Sequence, residues 1–570
     1  MKKFASFALF LALLTTILTG CGGTSSSISS DPAVPAPAGE DVAAAPADDV
    51  PEPSAGEQPE PAGEPAEASV VEEELPEEAL PYPAELQLPL TETPKSLSFW
   101  YSGFPNFDFD VVFGQNPAIA KAEELTGVHA DMNIVSMDSY SEKFNLMIAS
   151  TGEYPDLIST GDYVGGYAQA VNDEVIIDIT DYVETCALNY MALISQDEIT
   201  KKSAYSDDSR IYGFASIQKE AALPGNGPIV RQDWLDALGL EPPETYVEYE
   251  AMLAAFQSEL GATEPFLMNS TGIDSVLLAG FDTMVGFYVV DGAVQTGYTA
   301  KEMRDYVTMI HDWYEHGYIG QSFTANPVGQ PDEADILSDT AGCWTSGYQF
   351  SDYEEKASNP NYALTGTLYP VKEHGGIVHT SYQPVIIDCA TFFSVTSCCE
   401  DPELAVKWMD FWYSEPGFYL ANYGVEGLSY DLIDGEPVMT ELMTDNPDGL
   451  DVRATIMYYT AQLNIPYYKD TSNLNSAYED YELAARELWR SNQDGAYVIP
   501  TAVAFNSAEA DAYGLHITDI ETYADENLLK FIVGDRPLEE WDDYVAVFQS
   551  LGIDACTEAY QNAYDRFMSR

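Results

Sequence analysis

The feature that most constrains this chain is an abrupt change of composition at Lys95. Between Gly22 and Pro94 there is no lysine or arginine, and Pro, Ala, Ser, Gly, Asp and Glu dominate; beyond it the chain is rich in Tyr, Trp and Leu. A segment of the first kind cannot bury enough apolar surface to offset its ordering entropy. Proline and mutually repelling carboxylates keep such a segment extended. Residues 21–94 are therefore expected to be a disordered linker. The remaining stretch, 95–570, is long enough to bury large cores. Because a single core rarely grows past about 250–300 residues, two lobes are expected.

The first twenty residues read as an export signal. Lys2 and Lys3 precede an apolar run over 4–18, shorter than the roughly 20 residues a spanning helix needs. The run ends in Leu18-Thr19-Gly20-Cys21, which resembles the bacterial lipobox. The resemblance implies cleavage before Cys21 and acylation of its thiol, since only a thiol takes a thioether-linked lipid. Several acyl chains hold a protein durably at a membrane face, at about 0.8 kcal/mol per buried CH₂. The expected location is the extracellular side of the cell membrane, with contact through the lipid alone.

A formal net charge of -71 repels nucleic acid and anionic lipid, which excludes a nucleic-acid partner. Six cysteines follow Cys21: Cys186, Cys343, Cys389, Cys398, Cys399 and Cys556. They contain no CxxC pair, so zinc and thioredoxin-type chemistry find no support. Disulfides and buried thiols are both open readings in an exported protein.

Early in the folded part, strand and helix signals alternate. Residues 96–101 read as a strand, 117–126 as a helix with Pro117 at its start and Gly127 at its stop, and 128–135 as an alternating strand. A second helix with Phe144, Met147 and Ile148 on one face leads into a strand beginning at Pro155-Asp156. This order argues for an α/β fold with a parallel sheet covered by helices, whose ligands bind beyond the carboxyl ends of the strands. Thr245 and Glu248 form a capping box ahead of Met252, Leu253 and Phe256. Thr299 is expected to open a helix with Met303, Tyr306, Ile310 and Trp313 on its inner side, and Asp401 to cap one with Leu404, Ala405, Trp408 and Trp412. At these spacings the aromatics are core.

Signatures of catalysis are missing. There is no GxSxG, no HExxH and no Gly-rich phosphate loop. His311 and His316 project about 140° apart on one helix and cannot share a metal. With 94 acidic residues, close carboxylate pairs arise by chance, so a pair alone does not mark a glycosidase. Neither catalytic residues, a metal nor a cofactor is expected.

Several segments taken together resemble the family 1 extracellular solute-binding proteins, in particular their large lipoprotein branch from Firmicutes-type bacteria. They are Glu142-Lys143-Phe144-Asn145-Leu146-Met147-Ile148-Ala149-Ser150 with Tyr154-Pro155-Asp156-Leu157, then Val230-Arg231-Gln232-Asp233-Trp234-Leu235-Asp236-Ala237-Leu238-Gly239-Leu240. Asn422-Tyr423-Gly424-Val425-Glu426-Gly427 and the closing Phe531-Ile532-Val533-Gly534 and Trp541-Asp542-Asp543-Tyr544 complete the match. The resemblance implies a two-lobed, periplasmic-binding-protein-like clamshell, each lobe a sheet flanked by helices, with crossings near 217–229 and 385–395. It implies a monomer that captures a solute by hinge closure and delivers it to the membrane subunits of an ABC permease. An oligosaccharide is the expected solute; a peptide, or use of the fold by a surface hydrolase or sensor, is the alternative.

Carried over position by position, the resemblance implies ligand contacts at Trp100, Tyr101 and Phe104 after the first strand and at Thr160, Asp162 and Tyr163 after a later one. Arg231, Trp344, Tyr348 and Tyr382 complete the set. Aromatic faces cover the C–H faces of sugar rings, while polar groups pair with their hydroxyls. Many relatives carry an EF-hand-like calcium loop after the helix matching 252–256. Here the loop reads Gln257-Ser258-Glu259-Leu260-Gly261-Ala262-Thr263-Glu264-Pro265, which lacks the alternating oxygen ligands such a site needs. No structural calcium is expected there.

Overall fold

The computed structural model of the chain describes residues 86–570 apart from 104–113, 137–138, 151, 161–162, 164–165, 328–330, 348, 382–385, 451 and 463–464. Cys21, Phe104, Asp162, Tyr348 and Tyr382 therefore lie outside the described residues. So do residues 21–85 of the expected linker. Its last part already belongs to the folded unit: Leu86, Leu88 and Leu90 pack against the first core, and the Leu90 N–H donates to the Thr126 carbonyl at 2.9 Å.

The first lobe is built on strands β1 (Lys95–Gly103), β2 (Val128–Ser136), β3 (Leu157–Ser159) and β4 (Phe214–Gln218). The second is built around β5 (Asn226–Arg231), with a hairpin of β6 (Phe287–Val290) and β7 (Ala293–Thr296), and with β8 (Cys343–Gly347) and β9 (Leu364–Gly366). The chain then returns to the first lobe as β10 (Ile387–Val395), a hairpin of β11 (Tyr430–Ile433) and β12 (Glu436–Met439), and β13 (Tyr468–Lys469). The large sheet has the order β13-β4-β10-β3-β1-β2, and the smaller one β8-β5-β9. In the large sheet β2 and β3 run parallel to β1, β13 runs parallel to β4, and β10 is antiparallel to both β3 and β4. Five strands thus point their carboxyl ends the same way, where ligands gather in such sheets.

Local rules account for most helices. Asn116 caps Pro117–Thr126 by accepting from Ala118 and Ile119, and Gly127 closes it in the left-handed region at φ 72°. Thr245 and Glu248 form both halves of a capping box on Tyr246–Leu260, and Gly261 ends it at φ 75°. Glu264 lies beyond that cap, its N–H donating to the Thr340 carbonyl. Asp401 accepts from Leu404 at the start of Pro402–Phe411. Met303, Tyr306, Ile310 and Trp313 are buried, as are Leu404, Ala405, Trp408 and Trp412. One cap differs from expectation: Thr299 closes a short 3₁₀ turn, and the helix Lys301–Glu315 starts after Ala300 with no side-chain cap.

Separate cores give the two lobes. One joins Leu97–Ile217 to Ile387–Tyr468; the other lobe has two clusters, whose members lie between Ile229 and Val378 and between Ala485 and Cys556. The chain passes between the lobes three times, after β4, before β10 and after β13. The stretch 385–395, expected to hold a crossing, is instead mostly a strand of the first sheet: Ile387 already pairs with Ile217. The third passage, after Lys469, escaped the sequence reading because β13 is only two residues long. Arg486 braces two passages, donating to the carbonyls of Leu223 and Pro224 at 3.0 and 3.2 Å while its guanidinium faces the Tyr478 ring. Gly227 lets the helix Asp480–Ser491 lie on β5, for a Cβ there would meet the Trp489 indole at 2.2 Å.

Cys186, Cys343, Cys398, Cys399 and Cys556 are free thiols. Asp410 is a buried carboxylate in the first lobe, accepting from Asn189 Nδ2 and the Tyr190 N–H, both at 2.8 Å. Burial pushes its pKa up to about 6, against the downward pull of those donors. Because the folded pKa lies above the unfolded one, folding favours the protonated form. Stability is therefore highest below the unfolded pKa near 4 and falls as pH rises through about 6. Asp410→Asn is expected to remove this part of the pH dependence, about 2–3 kcal/mol between pH 4 and 7, in thermal melts of both proteins across that range. Parallel melting curves for the two proteins would show that Asp410 does not titrate in this window.

Candidate functional site

Trp100 and Tyr101, expected as ligand contacts at the end of β1, are packed into the first core. They alternate to opposite faces of the sheet. Trp100 packs on Tyr140 and Phe144 at ring distances of 5.0 and 5.6 Å, and Tyr101 meets Phe393 edge-on at 5.8 Å. Both are buried, and burial raises the Tyr101 pKa well above its usual value. Neither offers a face to a ligand in this conformation.

Trp344 is 0 % exposed. It pairs with Ile229 across β5 and sits in the cluster of Phe350, Tyr362 and Trp489. Arg231 is likewise 0 % exposed. It grips Asp233 through Nε and Nη2, both at 2.7 Å, and reaches Asp339 at 3.2 Å. Its guanidinium lies over the rings of Trp234 and Tyr362, 4.7 and 4.1 Å from their centres. In this conformation Trp344 and Arg231 hold the second lobe together and do not face the cleft.

The residues after β3 fare differently. The Thr160 N–H donates to the Phe392 carbonyl at 3.0 Å, and its hydroxyl meets that of Ser394 at 2.8 Å. Tyr163 donates through its N–H to the Thr160 carbonyl and through its hydroxyl to Asp173 at 2.8 Å. Partial burial and the Asp173 carboxylate push the Tyr163 pKa up to about 12. Thr160 also lines a cavity of about 480 Å³.

That cavity lies between the lobes. The first lobe supplies Thr160, Tyr167, Tyr205, Tyr212 and Phe392; the second supplies residues from Thr501 to Ser507 and the terminal Arg570. Tyr167 and Phe392 form an aromatic floor with ring centres 4.3 Å apart. Among the described residues, the carboxylates lining the cavity are Asp207 and Asp208. Asp208 accepts from the hydroxyls of Ser206 and Tyr212 at 2.6 and 2.7 Å. Burial alone would raise its pKa, but those donors win and hold it below the usual carboxylate range. Asp207 takes both Arg566 and Arg570.

A glycosidase needs one carboxyl kept protonated by a raised pKa, and Asp208 is shifted the other way. Among the described residues no group of three or more His, Cys, Asp or Glu could hold a metal ion.

No family model matches the chain. Lipoprotein LipO of Bacillus subtilis is 24% identical over 473 residues, covering 77% of this chain and 86% of its own. The polygalacturonan/rhamnogalacturonan-binding protein YtcQ of the same organism is 20% identical, covering 80% and 90%. The fructooligosaccharide ABC transporter substrate-binding protein FusA of Streptococcus pneumoniae is 22% identical, covering 79% and 87%. The fold is that of a solved solute-binding protein from Bifidobacterium longum infantis that is associated with an ABC transporter and binds human milk oligosaccharides. That match has a TM-score of 0.67 and 19% identity, and covers 84% of this chain and 99% of the other. The chain is thus similar in sequence to lipoprotein and ABC substrate-binding relatives and shares the solute-binding-protein fold.

Sequence reasoning reached one edge of the cavity, at Thr160, and did not include Tyr167, Phe392 and the segments around 205–212 and 501–507. The rule that ligands sit beyond strand ends could have extended the search from Thr160 to Tyr167. Nothing local marks 501–507, which fold alone brings across the cleft.

Proposed function

We propose that the chain is the lipid-anchored, substrate-capturing component of an ABC importer and that it encloses an oligosaccharide between its lobes. The observation that carries this is the interlobe cavity with its Tyr167–Phe392 floor and hydroxyl-bearing walls. Aromatic faces suit the C–H faces of sugar rings, and convergent hydroxyl, amide and carboxylate groups suit their rims. Relatives named for glycans support the reading, and so does LipO's designation as a lipoprotein. The sequence at Cys21 fits acylation and an outward-facing membrane location. Delivery to the permease would follow closure about the three passages. Release of the ligand unchanged fits the lowered pKa of Asp208.

Thermal unfolding across oligosaccharides, monosaccharides and peptides tests the reading. A ligand at 100 times its Kd stabilises the native state by about 2.7 kcal/mol. At least one oligosaccharide series is expected to raise the midpoint, with no product formed on prolonged incubation. A shift with peptides alone, or consumption of the glycan, would overturn it.

A further inference from the structure

We infer that the interlobe cavity takes an uncharged glycan and discriminates against oligomers of uronic acids. The inference rests on the proposal that this cavity is the glycan site, and deepens it by fixing the charge class. A carboxylate moved from water into a cleft needs a cationic, hydrogen-bonded partner; without one the cost is several kcal/mol.

Cations are scarce here: 23 lysines and arginines against 94 acidic residues, with Lys2 and Lys3 ahead of Cys21. The positions between 86 and 570 that lie outside the described residues contain neither lysine nor arginine, so no further cation can enter the site from them. The cations lining the cavity are Arg210 and Arg570. Arg210 pairs with Asp178 at 3.3 Å. Arg570 pairs with Asp207 at 2.6 Å and also donates to the carbonyls of Lys202 and Tyr205. A third guanidinium beside the wall, that of Arg566, is bound by both oxygens of Glu509 and by Asp207.

Every one of these cations already has a carboxylate. Asp208 adds a negative charge whose partners are the hydroxyls of Ser206 and Tyr212. An entering uronate would meet Asp207 and Asp208, and to gain a guanidinium it would have to compete with Asp178 for Arg210 or with Asp207 for Arg570. Neutral sugars face no such exchange. Their hydroxyls can use neutral wall residues such as Asn172, Thr501 and Ser507, and their ring faces the Tyr167–Phe392 floor.

Titration calorimetry on the whole protein with size-matched neutral and uronic oligomers tests this, using gluco-, galacto- and fructo-oligosaccharides against oligogalacturonates and oligoalginates. Each run is made in EDTA at low and high salt. The expected result is a neutral series that binds at least tenfold tighter than any uronate of equal length, at both salt concentrations. A uronate series binding as tightly as the best neutral one would overturn the charge assignment while leaving glycan capture intact. Silence from both series would overturn the glycan reading itself, and this inference with it.

Discussion

Arg231→Ala is expected to destabilise the second lobe by about 3–5 kcal/mol, the usual cost of removing one partner from a buried ion pair. The side chain is fully buried, Asp233 is only 13% exposed, and Asp339 lies on the solvent side at 65%. Removing the guanidinium strands the Asp233 carboxylate and leaves a void beside the Trp234 and Tyr362 rings, whose centres lie 4.7 and 4.1 Å from the cation. The position also joins β5 to the helix Gln232–Leu238, so the damage is not confined to a loop. For a lobe of this size each kcal/mol lowers the melting midpoint by about 2–4 °C, which puts the expected fall at about 6–20 °C. Ligand affinity, measured well below the new midpoint, is expected to change less than threefold. Arg231→Met combined with Asp233→Leu should recover much of the loss, because an apolar pair can replace a buried ionic one. A variant that melts normally and loses its ligand would instead make Arg231 a ligand contact, as the family resemblance implied.

That contrast shows what was legible in the sequence. Capped helices were readable because their causes are local: Asn116, Thr245 with Glu248, and Asp401 each satisfy backbone donors within three residues. Trp313, Trp408 and Trp412 were readable as core because helical spacing places them on the buried face. The segment around Arg231 stood out as a shared pattern, yet a pattern does not reveal whether it holds a ligand or the fold. Strand alternation left Trp344 equally open, since it shows that the residue faces one side of β8 but not what covers that side. Here the cover is Phe350 and Trp489, the latter from a helix that begins more than a hundred residues later. The cavity was least legible, because Tyr167 and Phe392 meet across the first lobe while Thr501–Ser507 and Arg570 arrive from the second.

Asp207→Asn is expected to weaken ligand binding by about 5–30-fold, although the residue need not touch the ligand. Asp207 belongs to the first lobe and accepts ion pairs from Arg566 of the C-terminal helix Ile553–Met568, which packs in the second, and from Arg570 just beyond that helix. Arg566 is also fixed by both oxygens of Glu509 and by the Ala504 carbonyl. Lys202 returns the contact, donating through Nζ to the Met568 carbonyl at 2.6 Å. Asp207 is 33% exposed, against 25% for Arg566 and 9% for Arg570. The pairs are thus partly shielded, and about 1–2 kcal/mol is a reasonable discounted contribution from them together. Asparagine keeps the shape and removes the charge that both guanidinium groups share. If ligand is enclosed only when this contact is made, that free energy moves the open–closed balance and lowers apparent affinity by the same factor. Small-angle scattering of the unliganded variant should show a larger radius of gyration, and raising the salt concentration should weaken the parent protein toward it. Asp207→Glu, which keeps the charge, should lose less than the asparagine variant. Unchanged affinity and scattering in Asp207→Asn would mean that the lobes are held by the three passages alone and that these ion pairs only dress the surface. A loss of affinity without any change in scattering would instead put Asp207 in the cavity wall as a direct ligand contact.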